Sequence, residues 1–274
     1  MKSSNMVLGG FARGAAGGQT SPYGAPPQQG YGYPQGGYPP SGYAGAPPQA
    51  PPMTLDDVVV RTVGLLSLMV AVAAASWVLL PPATLGVALF GSMIAGFILV
   101  LAISFMRITN PFVIGAYAVV EGVFVGVISK FFESFFSGIV LQAAVGTVAV
   151  FFGMAALYKF RVIRATPMFR KVVIGALIGA VALMLLNLVM RMFGTDIGLF
   201  GNPTDGKVEV LPIIIAFALV VLAALTFVLD FDMVEQGARY GLERRFAWYC
   251  AFGIVVGLVF LYVQLLQLLS LLRE

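Results

Sequence analysis

No histidine occurs anywhere in the 274 residues, and only one cysteine does, Cys250. Each absence closes a class of chemistry. A Ser/His intramembrane protease, a zinc site of the HExxH kind and a His-ligated haem all need an imidazole, for proton transfer or for metal ligation. A single thiol permits neither an internal disulfide nor a Cys-rich metal site. Aspartyl intramembrane proteolysis would pair two acids from different helices, and no Gly-x-Gly-Asp element stands in any apolar run. The expectation is a protein that is not an enzyme and holds no cofactor.

Charge is the second scarcity. Only 10% of the residues are charged, against roughly 25% in ordinary soluble domains, and 59% are hydrophobic. The apolar residues gather into runs of about 20, enough to cross a hydrocarbon core about 30 Å thick. These predict seven transmembrane helices over Val58 to Leu80, Leu85 to Phe105, Phe112 to Ser129, Ile139 to Tyr158, Val172 to Met190, Val210 to Leu229 and Ala247 to Leu269. The fold class is therefore an all-α integral membrane protein. Arg61 fits the first run because it lies within a turn of its start, where a long side chain can reach back to the headgroups.

Basic loop residues set the orientation, since Lys and Arg favour the cytoplasmic side of span ends. With the N-terminus inside, 12 of the 16 basic residues fall on the inner face: Lys2, Arg13, Arg61, Arg107, Lys159, Arg161, Arg164, Arg170, Lys171, Arg239, Arg244 and Arg245. The outer face keeps Lys130, Arg191, Lys207 and Arg273. This predicts a cytoplasmic N-terminus and an outside C-terminus, with the chain in the cell membrane, the inner membrane of a bacterium. The net charge of +4 then calls for no nucleic-acid partner, because basic inner loops facing anionic lipid account for it.

The first 52 residues differ in kind. They hold 10 of the 16 prolines and 12 of the 32 glycines, with Tyr-Gly or Tyr-Pro steps at Tyr23, Tyr33 and Tyr38 among others. Such a composition buries no core, and residues 1–52 are expected to form a disordered cytoplasmic tail ahead of a membrane domain over 53–274. The tail offers a place for a protein partner.

Within the spans, acids are costly: translocon scales put a charged side chain at a helix centre at about 2.5 to 3.5 kcal/mol. Asp230 and Asp232 stand where the sixth apolar run ends, and Glu121 stands near the middle of the third. Two residues of helix turn Asp230 and Asp232 about 200° apart, so only one can face the bundle. Asp230, on the side of Thr226 and nearer the hydrocarbon, is the inward choice; Asp232 is expected to be solvated or to pair with loop arginines. On the seventh helix Gly253, Gly257, Gln264 and Gln267 share one side. Gly122 and Gly126 mark a packing face on the third, as Gly175 and Gly179 do on the fifth.

Several short pieces, in order and on the right spans, carry a resemblance. They are Arg61-Thr-Val-Gly-Leu, Phe105-Met-Arg107, Glu121-Gly122-x-x-x-Gly126, Leu229-Asp230 and Leu261-Tyr262-Val-Gln264-Leu-Leu-Gln267-Leu. From Thr54 to Leu272 the chain resembles the Bax inhibitor family, the YccA-like or TMBIM group of membrane proteins. That resemblance implies six helices around a seventh and a pH-sensitive calcium leak. It also implies an acid ending the sixth helix that pairs with an acid in the seventh, and an arginine ending the second helix that latches onto them. By position Asp230 takes the first role and Arg107 the latch. The seventh-helix acid falls on Gln264, a departure, since an aspartate and a glutamine cannot share a proton as two carboxylates do. Asp232 or Glu121 would then have to supply the second acid.

Together with these residues the resemblance implies a pH-influenced cation leak, with calcium as the permeant ion, Asp230 as a transient calcium ligand and Arg107 as the gate. Two other readings are a membrane-embedded regulator or adaptor of another membrane protein, such as a quality-control protease, and a proton-coupled transporter.

Overall fold

The computed structural model describes residues 51–193 and 210–273. The predicted tail up to residue 50 lies outside the described residues. Among those described, seven helices are long and apolar enough to cross a membrane. They are α1 (Leu55–Leu79), α2 (Leu85–Met106), α3 (Pro111–Phe135), α4 (Ile139–Lys159), α5 (Pro167–Met192), α6 (Val210–Arg239) and α7 (Phe246–Arg273).

Local chemistry explains where they start and stop. Thr54 and Asp57 form a reciprocal capping box at the head of α1. Prolines end that helix, and a short 3-10 turn, Pro82–Thr84, leads into α2. Arg107 closes α2 in the left-handed region at φ 49°. Asn110 then caps α3, its Oδ1 accepting from the Phe112 amide at 2.9 Å, with Pro111 in the first turn, where its missing N–H costs nothing. At the far end of α1, Lys130 donates to the carbonyls of Trp77 and Leu80 at 2.9 and 3.1 Å, placing a cation on the negative end of that helix.

The bundle is organised around α7. In its most apolar stretch 61% of the residues are buried, against 17% to 39% in the other six helices. Ala247, Cys250, Ala251, Val255 and Leu261 are all fully buried on it. Of the six other helices, α1, α3, α4 and α6 pack on it, while α2 packs against α3 and α5 against α6. Those six keep apolar residues such as Val87, Phe105, Phe112 and Met168 outward, as a hydrocarbon solvent allows.

Small residues set the close approaches. A Cβ at Gly126 would overlap Ala73 of α1, and one at Gly122 would stand 2.8 Å from the Met69 carbonyl oxygen. Gly122 and Gly126 are thus the packing face expected of them. Gly175 and Gly179 are not: nothing lies within 4 Å of a Cβ at either. The motif lets a backbone be approached and does not require that anything approach it.

The spans are longer than the apolar runs. The largest difference is in α6, which continues from Leu229 to Arg239, so Asp230 lies inside a helix rather than at its end. An apolar run stops where the hydrocarbon stops; the helix continues because its polar turns find partners. Tyr158 donates to Glu235 at 2.6 Å, and Arg170 and Gln236 both donate to Asp232.

On the same face the start of the described chain is knitted to the α6–α7 loop. The Met53 amide donates to the Leu242 carbonyl at 2.8 Å and the Arg244 amide to the Pro51 carbonyl at 3.0 Å. Arg244 also pairs with Asp57 at 2.7 Å. Met53 itself is 2% exposed and its Cε stands 2.5 Å from where a Cβ on Gly237 would be.

Candidate functional site

Asp230 is half-buried, and its carboxyl points at the central helix. Its Oδ1 lies 3.2 Å from the position of a Cβ on Gly253 and its Oδ2 lies 3.4 Å from one on Gly257. The two glycines, one turn apart on α7, leave the space a carboxylate needs. Phe227, a turn earlier on α6, closes the same seam at 3.0 Å from the Gly257 position. The inward orientation expected of residue 230 is therefore present, and Gly253 and Gly257 form the seat.

The other side of Asp230 faces a cavity of about 370 Å³ that opens beside the α6–α7 loop. Arg170 and Ile174 of α5 line it, with Met233, Gln236 and Gly237 of α6, and Leu242 and Phe246 beyond the turn. Among its lining residues Asp230 and Arg170 are the two that carry charge. They do not bond to each other. The Arg170 Nη2 instead meets the Asp232 Oδ2 at 2.6 Å, and the Gln236 Nε2 donates to the same oxygen at 2.7 Å. Asp232 thus pairs with an arginine, as expected, one held in the first turn of α5.

Three expectations fail. Arg107 does not latch Asp230: among the described residues no ion pair within 4.0 Å or hydrogen bond joins them. The left-handed cap at Arg107 leaves its side chain exposed. Gln264 does not oppose Asp230 either, because it lies about 10 Å further along α7 than Gly257, roughly two turns. It is 2% exposed, and its Oε1 accepts no hydrogen bond among the described residues.

Glu121 supplies no second acid to this seat. Its Oε2 stands 2.7 Å from the position of a Cβ on Gly96 of α2, on a different seam. Nor do three acidic or thiol groups converge anywhere among the described residues. A calcium ion reaching Asp230 would find one carboxylate rather than the about six to eight oxygens of a stable site.

Sequence reasoning missed Arg170, the cavity's second charged group. The signal was present: a basic residue opening the fifth helix and an acid closing the sixth belong to the same face of the membrane. Gly96 carried no signal, since its role is to be small where a side chain from another helix arrives.

Seven membrane-length helices, one of them largely buried among its neighbours with a carboxylate lodged against it, define a multi-pass membrane protein in contact with the lipid bilayer. The family described as Bax inhibitor 1 like matches residues 11–274, and the chain belongs to it. The match reaches back from the membrane domain into the Gly/Pro/Tyr-rich tail. No curated protein matches the chain.

Proposed function

We propose that the protein is a cation leak channel of the Bax inhibitor type, passing calcium, in which Asp230 is the carboxylate that ions meet. One observation carries this reading: Asp230 is seated on the central helix, lines a cavity and has no countercharge bonded to it. A carboxylate in that position presents an uncompensated negative potential in a medium of low dielectric, which concentrates cations. The free Oε1 of Gln264, on the same side of α7, is a second oxygen further along the seam. Hard cations take such carboxylate and amide oxygens. No step here breaks or makes a covalent bond, and the protein acts as a conductor, not an enzyme.

The 12 to 4 division of basic residues supports placing the face of the cavity in the cytoplasm and the C-terminus outside, in a bacterial inner membrane. Because protonation removes the charge of Asp230, the leak depends on pH. The latch drawn from the resemblance has no part in this reading, since Arg107 stands exposed and apart.

The test is calcium entry into liposomes that hold the purified protein and an entrapped indicator, with potassium and proton indicators in parallel. Asp230→Asn should lower calcium flux about tenfold, the loss of about 1.4 kcal/mol of ion stabilisation, and flatten the dependence on pH around neutrality. An unchanged flux and pH profile in the variant would remove Asp230 from the mechanism.

A regulator or adaptor role has one observation of its own. The chain that leads out of the tail is hydrogen-bonded to the loop bordering the cavity, so a partner pulling on the tail would act on that loop. Deleting residues 1–50 would abolish such a role while sparing the leak of the purified protein.

A further inference from the structure

We infer that Arg170 is the positioning residue that sets whether Asp230 is available, held off it by Asp232; this rests on the proposed role of Asp230 in cation passage. The cavity wall holds two opposite charges, Arg170 and Asp230, that are not bonded to one another. Solvent that reaches Arg170 weakens the attraction between them, so a partner in direct contact can keep them apart. Asp232 does this by taking the guanidinium at 2.6 Å.

That hold is light. Only Nη2 engages the Asp232 Oδ2, without the second parallel bond of a forked arginine–carboxylate pair. The Arg170 side chain is also 48% exposed, and exposed pairs are weakly held. The same oxygen already accepts from Gln236, so Asp232 keeps a donor when Arg170 leaves. Arg170 stands in the first turn of α5, its backbone amide donating a hydrogen bond to the Thr166 carbonyl at 2.9 Å, with Ile174 a turn further along the same wall. Its long side chain is the part free to choose. On Asp232 it leaves the carboxylate of Asp230 open to cations; on Asp230 it neutralises the seat and occupies the cavity.

The opposing groups make this testable by signs. The full-length protein in liposomes is treated with a hydrophobic carbodiimide, and modification of Asp230 is read by mass spectrometry, with Glu121 as the internal reference. In Asp232→Asn the guanidinium moves to Asp230, and its labelling relative to Glu121 falls about fivefold. In the double variant Asp232→Asn with Arg170→Gln the labelling returns. Asp232→Glu, which keeps an acid for Arg170, labels as the native chain does. Calcium flux follows the same order, lowest in Asp232→Asn. Equal labelling in Asp232→Asn and the native protein, or protection that persists without Arg170, overturns the inference. If the labelling pattern holds while native protein and Asp230→Asn leak equally, the switch stands and the leak reading falls.

Discussion

Glu121 and Asp230 are two carboxylates on membrane-length helices, and their surroundings differ. Glu121 and Asp230 are both half-buried, and both are lodged against glycine on a neighbouring helix, Gly96 for the first and Gly253 with Gly257 for the second. There the likeness ends. Gly96 belongs to α2, a peripheral helix that packs mainly on α3 and buries only 17% of its apolar stretch. Gly253 and Gly257 belong to α7, the most buried of the helices, and Asp230 alone of the two acids borders the cavity. An acid in a span is therefore not in itself a site. In the proposed leak, what sets Asp230 apart is its seat on the most buried helix together with the cavity beside it.

The largest effect should come from filling the seat. Gly257→Leu brings a branched side chain to a point 3.0 Å from Phe227 and 3.4 Å from Asp230. It should reduce calcium flux to the background of empty liposomes and cost about 1–3 kcal/mol of stability, read as an earlier thermal transition in detergent. Next comes the direct comparison of the acids. Asp230→Asn should lose about tenfold in flux, whereas Glu121→Gln, off the pathway, should stay within about twofold. Equal losses would dissolve the distinction.

A smaller effect is expected from Met53→Ala. Met53 is buried against Gly237, beside the cavity and far from the α2–α3 seam, and its loss should cost about 2 kcal/mol in thermal unfolding. Smallest of all is Gly96→Ala. The new methyl would meet the Glu121 Oε2 at 2.7 Å, but that oxygen ends a flexible side chain and can move aside. A change of less than about 1 kcal/mol and no change in flux should follow.

Much of this arrangement was legible in the sequence. Membrane spans announce themselves by composition, whereas the central place of the seventh came from the resemblance alone, since α2, α5 and α6 are at least as apolar. Gly122 and Gly126 read correctly because a stripe of small residues next to an acid had α1 to pack against. The relation of Arg107 to Asp230 was not legible. A single left-handed residue at the end of α2 decides where that guanidinium goes, and backbone sign is not written in an arginine. The pairing of Asp230 with Gln264 failed for a related reason: sequence reasoning looks for a polar partner, whereas the partner of Asp230 is the space over two glycines. Asp232 read correctly because charge at one membrane face seeks opposite charge there.

In the proposed leak, residue 230 is reached by water from the face that holds the α6–α7 loop, while residue 121 is not. Site-directed thiol labelling tests this directly, since the native thiol, Cys250, is buried and can be replaced by serine. In that background Asp230→Cys and Glu121→Cys are exposed in turn to a membrane-impermeant methanethiosulfonate, applied to each face of sealed vesicles. The account predicts rapid modification at 230 from the loop face alone and none at 121. Protection at 230 from both faces, or modification at 121 as fast as at 230, would contradict it.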